Sequence, residues 1–265
     1  MEEIRYLVWN GSINVQVEVD SPMFIEGVPD SNKRIKFWVP RNCYITSCLN
    51  SVLRQVETVL KYRPTEILSK MWFEYKGRAL PWTIPLGVLY DSHHLVKHGY
   101  PEQFNENFIN IWEIKLRYSK ELPSNVIPLI NGEEQVRKFV MHQWKQSCFI
   151  LNGSSKQVMS LSVSDTDKLW TGMLGNDISS FNEVAKRIIP KTPRRVPLVV
   201  IDTRIEPLQI RQPNMEDIPF TDFLTRCKTD RVLCQGIELG AETGSLFDIY
   251  KAMYSFDGYL YVVIK

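Results

Sequence analysis

Met71-Trp-Phe-Glu-Tyr-Lys-Gly-Arg-Ala-Leu80 and Arg231-Val-Leu-Cys-Gln-Gly-Ile-Glu-Leu239 carry the same pattern in different residues. Each is an apolar strand running into a glycine turn. Pro85-Leu-Gly-Val-Leu-Tyr-Asp91 and Ser245-Leu-Phe-Asp-Ile-Tyr-Lys251 then read as short helices, and Phe108–Leu116 and Gly258–Ile264 as closing strands. Gly77 aligns with Gly236, Leu86 with Leu246 and Tyr90 with Tyr250. The offset stays at roughly 160 residues, so loop lengths repeat along with residue types.

Strand, glycine turn, short helix and final strand make the C-terminal half of a ubiquitin-like β-grasp, and the chain is expected to hold two. The upstream halves fit. Asn10-Gly11 between β-rich runs is a type I′ hairpin signal, and Ile13, Val15, Val17 and Val19 alternate with polar residues. A helix is expected over Ile45–Leu60. In the second copy Val196–Ile201 and Leu208–Ile210 supply the hairpin, with Pro197 and Pro207 at edges or strand starts, and Thr221–Cys227 the helix.

Between the copies the β pattern stops. Glu133–Leu151 has helical periodicity, with Val136, Val140, Trp144, Ser147, Cys148 and Leu151 on one face and Lys138, His142, Lys145 and Phe149 opposite. Ser164–Met173 and Ile178–Ile189 read as two further helices. The expected class is therefore α+β: a first β-grasp over 1–122, a helix-rich domain over 123–190 and a second β-grasp over 191–265.

Hydrophobic content of 44% and charged content of 23% are those of an ordinary globular protein. No apolar run reaches the ~18 residues of a membrane span. Met1-Glu-Glu-Ile-Arg is acidic and reads as entering a strand, against a secretory signal. Five cysteines without a CxxC pair read as reduced, mostly buried thiols in the cytosol. Asn10-Gly-Ser and Asn152-Gly-Ser, matches to the glycosylation pattern, carry no meaning there. A net charge of +2 argues against a nucleic-acid partner.

Catalytic chemistry is hard to find. There is no P-loop or dinucleotide fingerprint. His94 and His98 have a metal-compatible spacing but no partner ligand, and solvated histidines are the better reading. Cys148 and His142 lie on different faces of one helix, so they cannot form a nucleophile–base pair. Trp72-Phe-Glu-Tyr75 and Tyr259-Leu-Tyr261 read as core-facing strands rather than base-stacking platforms. No enzyme activity and no cofactor are expected.

Trp72-Phe-Glu-Tyr-Lys-Gly77, Pro81-Trp-Thr-Ile-Pro-Leu-Gly-Val-Leu-Tyr-Asp91 and His142-Gln-Trp-Lys-Gln-Ser-Cys-Phe-Ile-Leu-Asn-Gly-Ser-Ser-Lys156 resemble the autophagy protein 5 family, the last closely matching its fungal members. So do Leu169-Trp-Thr-Gly172, Cys234-Gln-Gly-Ile-Glu238 and Ser255-Phe-Asp-Gly-Tyr-Leu-Tyr261, and the likeness runs in order from Trp9 to Val263. The resemblance implies two ubiquitin-like domains flanking a helix-rich one. It also implies covalent attachment of the ubiquitin-like autophagy protein 12, through that protein's C-terminal glycine and E2-like conjugating enzymes. The N-terminal helix of autophagy protein 16 is the implied second partner. Such a conjugate acts like a ligase in lipidation of autophagy protein 8, in autophagosome formation. The implied location is the cytoplasm, peripheral at the pre-autophagosomal membrane. A ubiquitin-like donor ends in a flexible glycine tail, whereas Tyr261-Val-Val-Ile-Lys265 is a strand, so an acceptor is expected. The competing class is a non-covalent tandem ubiquitin-like adaptor.

The family motif places the isopeptide acceptor after His-Gln-Trp, at Lys145, which helical geometry sets roughly 130° from the centre of the apolar stripe. His142 and Phe149 are expected to face the attached modifier. Trp82 and Ile84, in the loop Leu80–Pro85, are the candidate groove for the partner helix. Lys156 and Lys168 are the candidate basic contacts with a phospholipid surface.

Overall fold

The computed structural model describes residues 2–95, 110–205, 208–241 and 244–265. The chain forms two compact units. One comprises Ser12–Leu89 with Pro101–Arg137; the other comprises Met1–Gly11, Tyr90–Tyr100 and Lys138–Lys265.

Helix α1 (Glu2–Trp9) opens the chain. The strand expected at Leu7-Val-Trp9 is overturned, and with it the Asn10-Gly11 hairpin. Asn10 N–H donates to Tyr6 O at 3.1 Å and Gly11 N–H to Val8 O at 3.3 Å, ending a helix. The cause is tertiary. Arg5, Val8 and Trp9, at i, i+3 and i+4, are all buried, which only a helix allows.

In the unit that begins at Ser12, β1 (Ser12–Val19) pairs antiparallel with β2 (Arg34–Pro40), a strand not anticipated from the sequence. The hairpin is therefore joined by 20–33, not by Asn10-Gly11. Helix α2 (Thr46–Val56) buries Cys48, Leu49, Val52, Leu53 and Val56, as its periodicity predicts. A short α3 (Pro64–Ile67) leads to β3 (Met71–Tyr75) and β4 (Arg78–Leu80), joined by Lys76 and Gly77 at φ 48° and 80°. Only glycine takes the second of these without strain. After α4 (Leu86–Tyr90), β5 (Ile111–Tyr118) returns parallel to β1, giving the order β2-β1-β5-β3-β4.

Helix α5 (Gly132–Asn152) begins the helical region, followed by α6 (Lys156–Met159), α7 (Val163–Leu174) and α8 (Ile178–Ile188). Ser162 and Asp165 form a reciprocal capping box on α7, and Asp177 caps α8. A pairing of Asp165 with Arg187 at 2.8 Å holds its carboxyl down at about 2.

The second sheet contains β6 (Leu198–Asp202), β7 (Gln209–Arg211), β8 (Val232–Cys234), β9 (Ile237–Leu239) and β10 (Leu260–Ile264), with α9 (Phe220–Cys227) and α10 (Leu246–Met253) between strands. Its order, β7-β6-β10-β8-β9, matches the first strand for strand, with β10 parallel to β6. Gln235 and Gly236 repeat the turn of Lys76 and Gly77, at φ 51° and 80°. The two β-grasps read from the repeat are both present. Pro197 precedes β6 as a strand start, while Pro207 lies outside the described residues, as does His98 of the histidine pair.

Candidate functional site

Helix α5 presents the candidate acceptor. Val136, Val140, Trp144, Ser147, Cys148 and Leu151 are buried, and Lys138, His142, Lys145 and Phe149 are exposed, as the wheel predicts. What fixes the helix is the residue before Lys145. The Trp144 indole N–H donates to Phe256 O at 2.7 Å, and its ring meets Phe181 and Tyr254 with centroids 6.1 and 6.3 Å away. One turn further on, Gly258 (φ 84°) lies against Ser147 and Trp144, where a β-carbon would be 2.4 Å from Ser147 Oγ. With Trp144 locked inward, its neighbour must point outward. Among the described residues the Lys145 side chain is exposed and makes no ion pair or hydrogen bond.

His142 does not stand alone. The Gln146 amide N–H donates to His142 Nε2 at 3.0 Å, and Gln146 Oε1 accepts from Tyr259 OH at 3.4 Å. A polar chain thus ties the His142 edge of α5 to the strand entering β10. Phe149 is 58% exposed and lines an open cleft with Ile150, Arg194, Arg195 and Asn214. Sequence periodicity finds Phe149 but misses its neighbours, which arrive from segments 45 and 65 residues downstream (194 − 149 and 214 − 149).

Cys148 is a small core residue. It is fully buried, and desolvation pushes its thiol up. All five cysteines are free, and four are buried. Among the described residues no cluster of three histidines, cysteines or carboxylates could hold a metal.

Trp82 and Ile84 are turned inward, each 8% exposed. The Trp82 indole N–H donates to Ile127 O at 2.9 Å, and its ring lines an internal cavity of about 20 Å³ with Leu49, Phe73 and Leu129. That space has room for a water, not for a side chain of a partner helix. Lys156 is exposed and unpaired among the described residues, whereas Lys168 Nζ lies 2.6 Å from Glu183 Oε1. The two lysines proposed as a membrane contact therefore differ in how much charge they present. No described helix is long and apolar enough to cross a membrane.

Comparison with known proteins decides the lineage. A model of the UblA domain of autophagy protein ATG5 matches residues 8–118, and one of its alpha-helical bundle region matches residues 133–191. Autophagy protein 5 of Candida glabrata is 40% identical over 268 residues, covering 99% of both chains. The chain belongs to the autophagy protein 5 family. Autophagy protein 5 of Saccharomyces cerevisiae is 31% identical over 282 residues, covering 100% of this chain and 96% of its own. The crystal structure of Kluyveromyces marxianus Atg5 matches with a TM-score of 0.84 at 31% identity, covering 100% of both chains. Membership of this family gives the protein a role in autophagy.

Proposed function

We propose that this protein is the non-catalytic acceptor and scaffold subunit of a ubiquitin-like conjugate with ligase-like activity in autophagosome formation, and that Lys145 is its acceptor. One observation supports this most: Lys145 is an unpaired amine held outward on a helix whose adjacent tryptophan is anchored by a buried hydrogen bond. A rigid, exposed nucleophile needs no local base. The conjugating enzyme's site removes the ammonium proton, and the neutral amine attacks the donor's C-terminal thioester carbonyl. A C–N bond forms, the C–S bond breaks, the thiolate leaves, and the remaining surplus amine proton passes to the departing sulfur.

On this reading the donor is autophagy protein 12, His142 and Phe149 lie beneath it, and the conjugate promotes lipidation of autophagy protein 8. The division at 1–122, 123–190 and 191–265 is part of the same proposal. The N-terminal helix of autophagy protein 16 is proposed as a second partner. Ile4 and Leu7, one turn apart and both exposed on α1, are apolar surface of the kind such a helix covers. Peripheral membrane contact is proposed to run through the basic residues Lys156 and Lys168, the second sharing its charge with Glu183. The proposed location is cytoplasmic, at the pre-autophagosomal membrane.

Lys145→Arg keeps charge and helix propensity. In a reconstituted system it is expected to abolish the band that survives boiling in detergent. A conjugate of undiminished yield would sink the assignment, and absence of any covalent product from the parent protein would favour the non-covalent adaptor.

A further inference from the structure

The cleft lined by Phe149, Ile150, Arg194, Arg195 and Asn214 is open and holds about 280 Å³. Phe149 stands one turn beyond Lys145 on the same face of α5, about 6 Å along the axis. The two arginines are strapped across the end of that helix. Arg194 N–H donates to Leu151 O at 2.6 Å, and Val196 N–H donates to Met215 O at 2.7 Å. Gly153 makes room for the strap, since a β-carbon there would lie 2.7 Å from a guanidinium nitrogen of Arg194. Attraction to the last carbonyls of α5 accounts for Arg194. It does not account for Arg195.

Neither guanidinium makes an ion pair or side-chain hydrogen bond among the described residues, and no carboxylate lines the cleft. Asn214, at φ 43°, adds a buried side-chain oxygen with no hydrogen-bond partner. A buried acceptor left unmet is destabilising, and an entering donor would relieve it. Two unanswered cations, an exposed ring and an unmet acceptor suit an extended peptide. Its carbonyls or a carboxylate would face the arginines, an N–H would face Asn214, and an apolar side chain would cover Phe149.

We propose that this cleft receives the C-terminal tail of the ubiquitin-like donor and positions its last carbonyl at Lys145. The inference rests on the reading of Lys145 as acceptor. Reach supports it, because an extended chain rises about 3.3 Å per residue, so two residues span from Phe149 to Lys145.

The test is single-turnover discharge of the donor, preloaded as a thioester on its conjugating enzyme, onto increasing concentrations of the full chain. Arg194→Ala/Arg195→Ala should raise the half-saturating concentration roughly tenfold with little change in maximal rate, as loss of two charge-assisted contacts predicts. Arg194→Lys/Arg195→Lys retains charge and guards against misfolding; it should lie between the parent and the alanine variant. An unchanged half-saturating concentration in a folded alanine variant overturns the inference. So does unchanged discharge accompanied by lost binding to anionic vesicles, which would assign the arginines to lipid phosphate instead. Lys145→Arg run in parallel separates the two claims. Abolished discharge there with normal discharge in the arginine variants refutes the cleft alone, whereas normal discharge from Lys145→Arg refutes the acceptor reading itself.

Discussion

The two β-grasps share one strand order yet are buried differently. In the first sheet β1 alternates, with Ile13, Val15, Val17 and Val19 inside and Ser12, Asn14, Gln16 and Glu18 outside. Its wet face is laced by Arg34–Glu18, Lys115–Glu18 and Arg117–Glu74 pairs, and Trp38 stands 67% exposed on β2. In the second sheet β6 and β10 are buried at all five positions each. Aromatic contacts join this copy to the helical region. Trp9 meets Phe181 at 4.7 Å, Phe181 meets Trp144, and Trp144 meets Tyr254, which stacks on Tyr250 at 5.4 Å. The helical region and the second β-grasp thus share one core. A fold can therefore be duplicated while the central strands of only one copy keep an open face, and the copy with covered central strands is the one that fixes the helix carrying Lys145.

Removing a tryptophan from each region should give the largest contrast. Trp144→Ala deletes a fully buried ring and leaves Phe256 O without its donor, at an expected cost of about 3–5 kcal/mol. Trp38→Ala, on the open face, should cost less than about 0.5 kcal/mol. Urea denaturation of both variants checks this, and similar losses would dissolve the distinction between the faces.

Alkaline pH should weaken the covered copy. Burial pushes Tyr259 up to about 12 and also raises Tyr250 and Tyr261 well above the ordinary tyrosine value. In the unfolded chain these hydroxyls release protons near pH 10. Neutral tyrosine is thus favoured in the folded state. The contribution is complete below about pH 10 and declines as pH rises toward 12. Hydrogen exchange at rising pH should show β10 losing protection before β1; the reverse order would contradict the assignment.

How much of this was legible beforehand depended on period. The repeat, the helices and the outward placement of Lys145 follow from spacing that survives in one dimension. Residues 5–9 did not, because Leu7-Val-Trp9 favours a strand by propensity, and the tertiary burial of Arg5, Val8 and Trp9 selects a helix. The Arg5 guanidinium lies 3.6 Å from the centre of that ring and donates to Tyr254 O, and its burial pulls its pKa down. β2 was missed because Trp38, large and apolar, sits on the wet side of Ile35, Phe37 and Val39. The cleft beside Phe149 had no periodic signal, since it assembles three separate segments.

Ion pairs give a smaller contrast. Asp202 on β6 is 1% exposed, and its carboxyl is held down by Arg204, 2.7 Å away, with Arg211 at 3.4 Å. Arg204→Ala leaves that carboxylate buried and also removes donors to Lys228 O and Cys227 O. Because Arg204 is itself partly exposed, a loss of about 2 kcal/mol is expected, below the 3–5 of a fully buried pair. The Asp202 contribution is present above the ordinary carboxylate range and fades as pH falls through its lowered value, so the deficit should shrink in acid. Arg117→Ala, whose partners Glu74 and Asp20 lie on the open face, should cost about 1 kcal/mol or less. Thermal melts across pH compare them, and an Arg117 variant as costly as the Arg204 one would break the contrast.

Phe149→Ala should have as small an effect on stability as Trp38→Ala, and its smallness is the point. At 58% exposure the ring buries little against its own chain, so its loss should shift stability by under about 0.5 kcal/mol. Trp144, five residues earlier on the same helix, should cost several times more because it faces the shared core. A drop of several degrees in the unconjugated Phe149 variant would mean that the ring already packs within its own protein. An unchanged melting temperature, together with weaker donor discharge, would place its partner outside this chain. Helix α5 would then divide its two faces cleanly, one holding the second β-grasp and the other meeting the modifier.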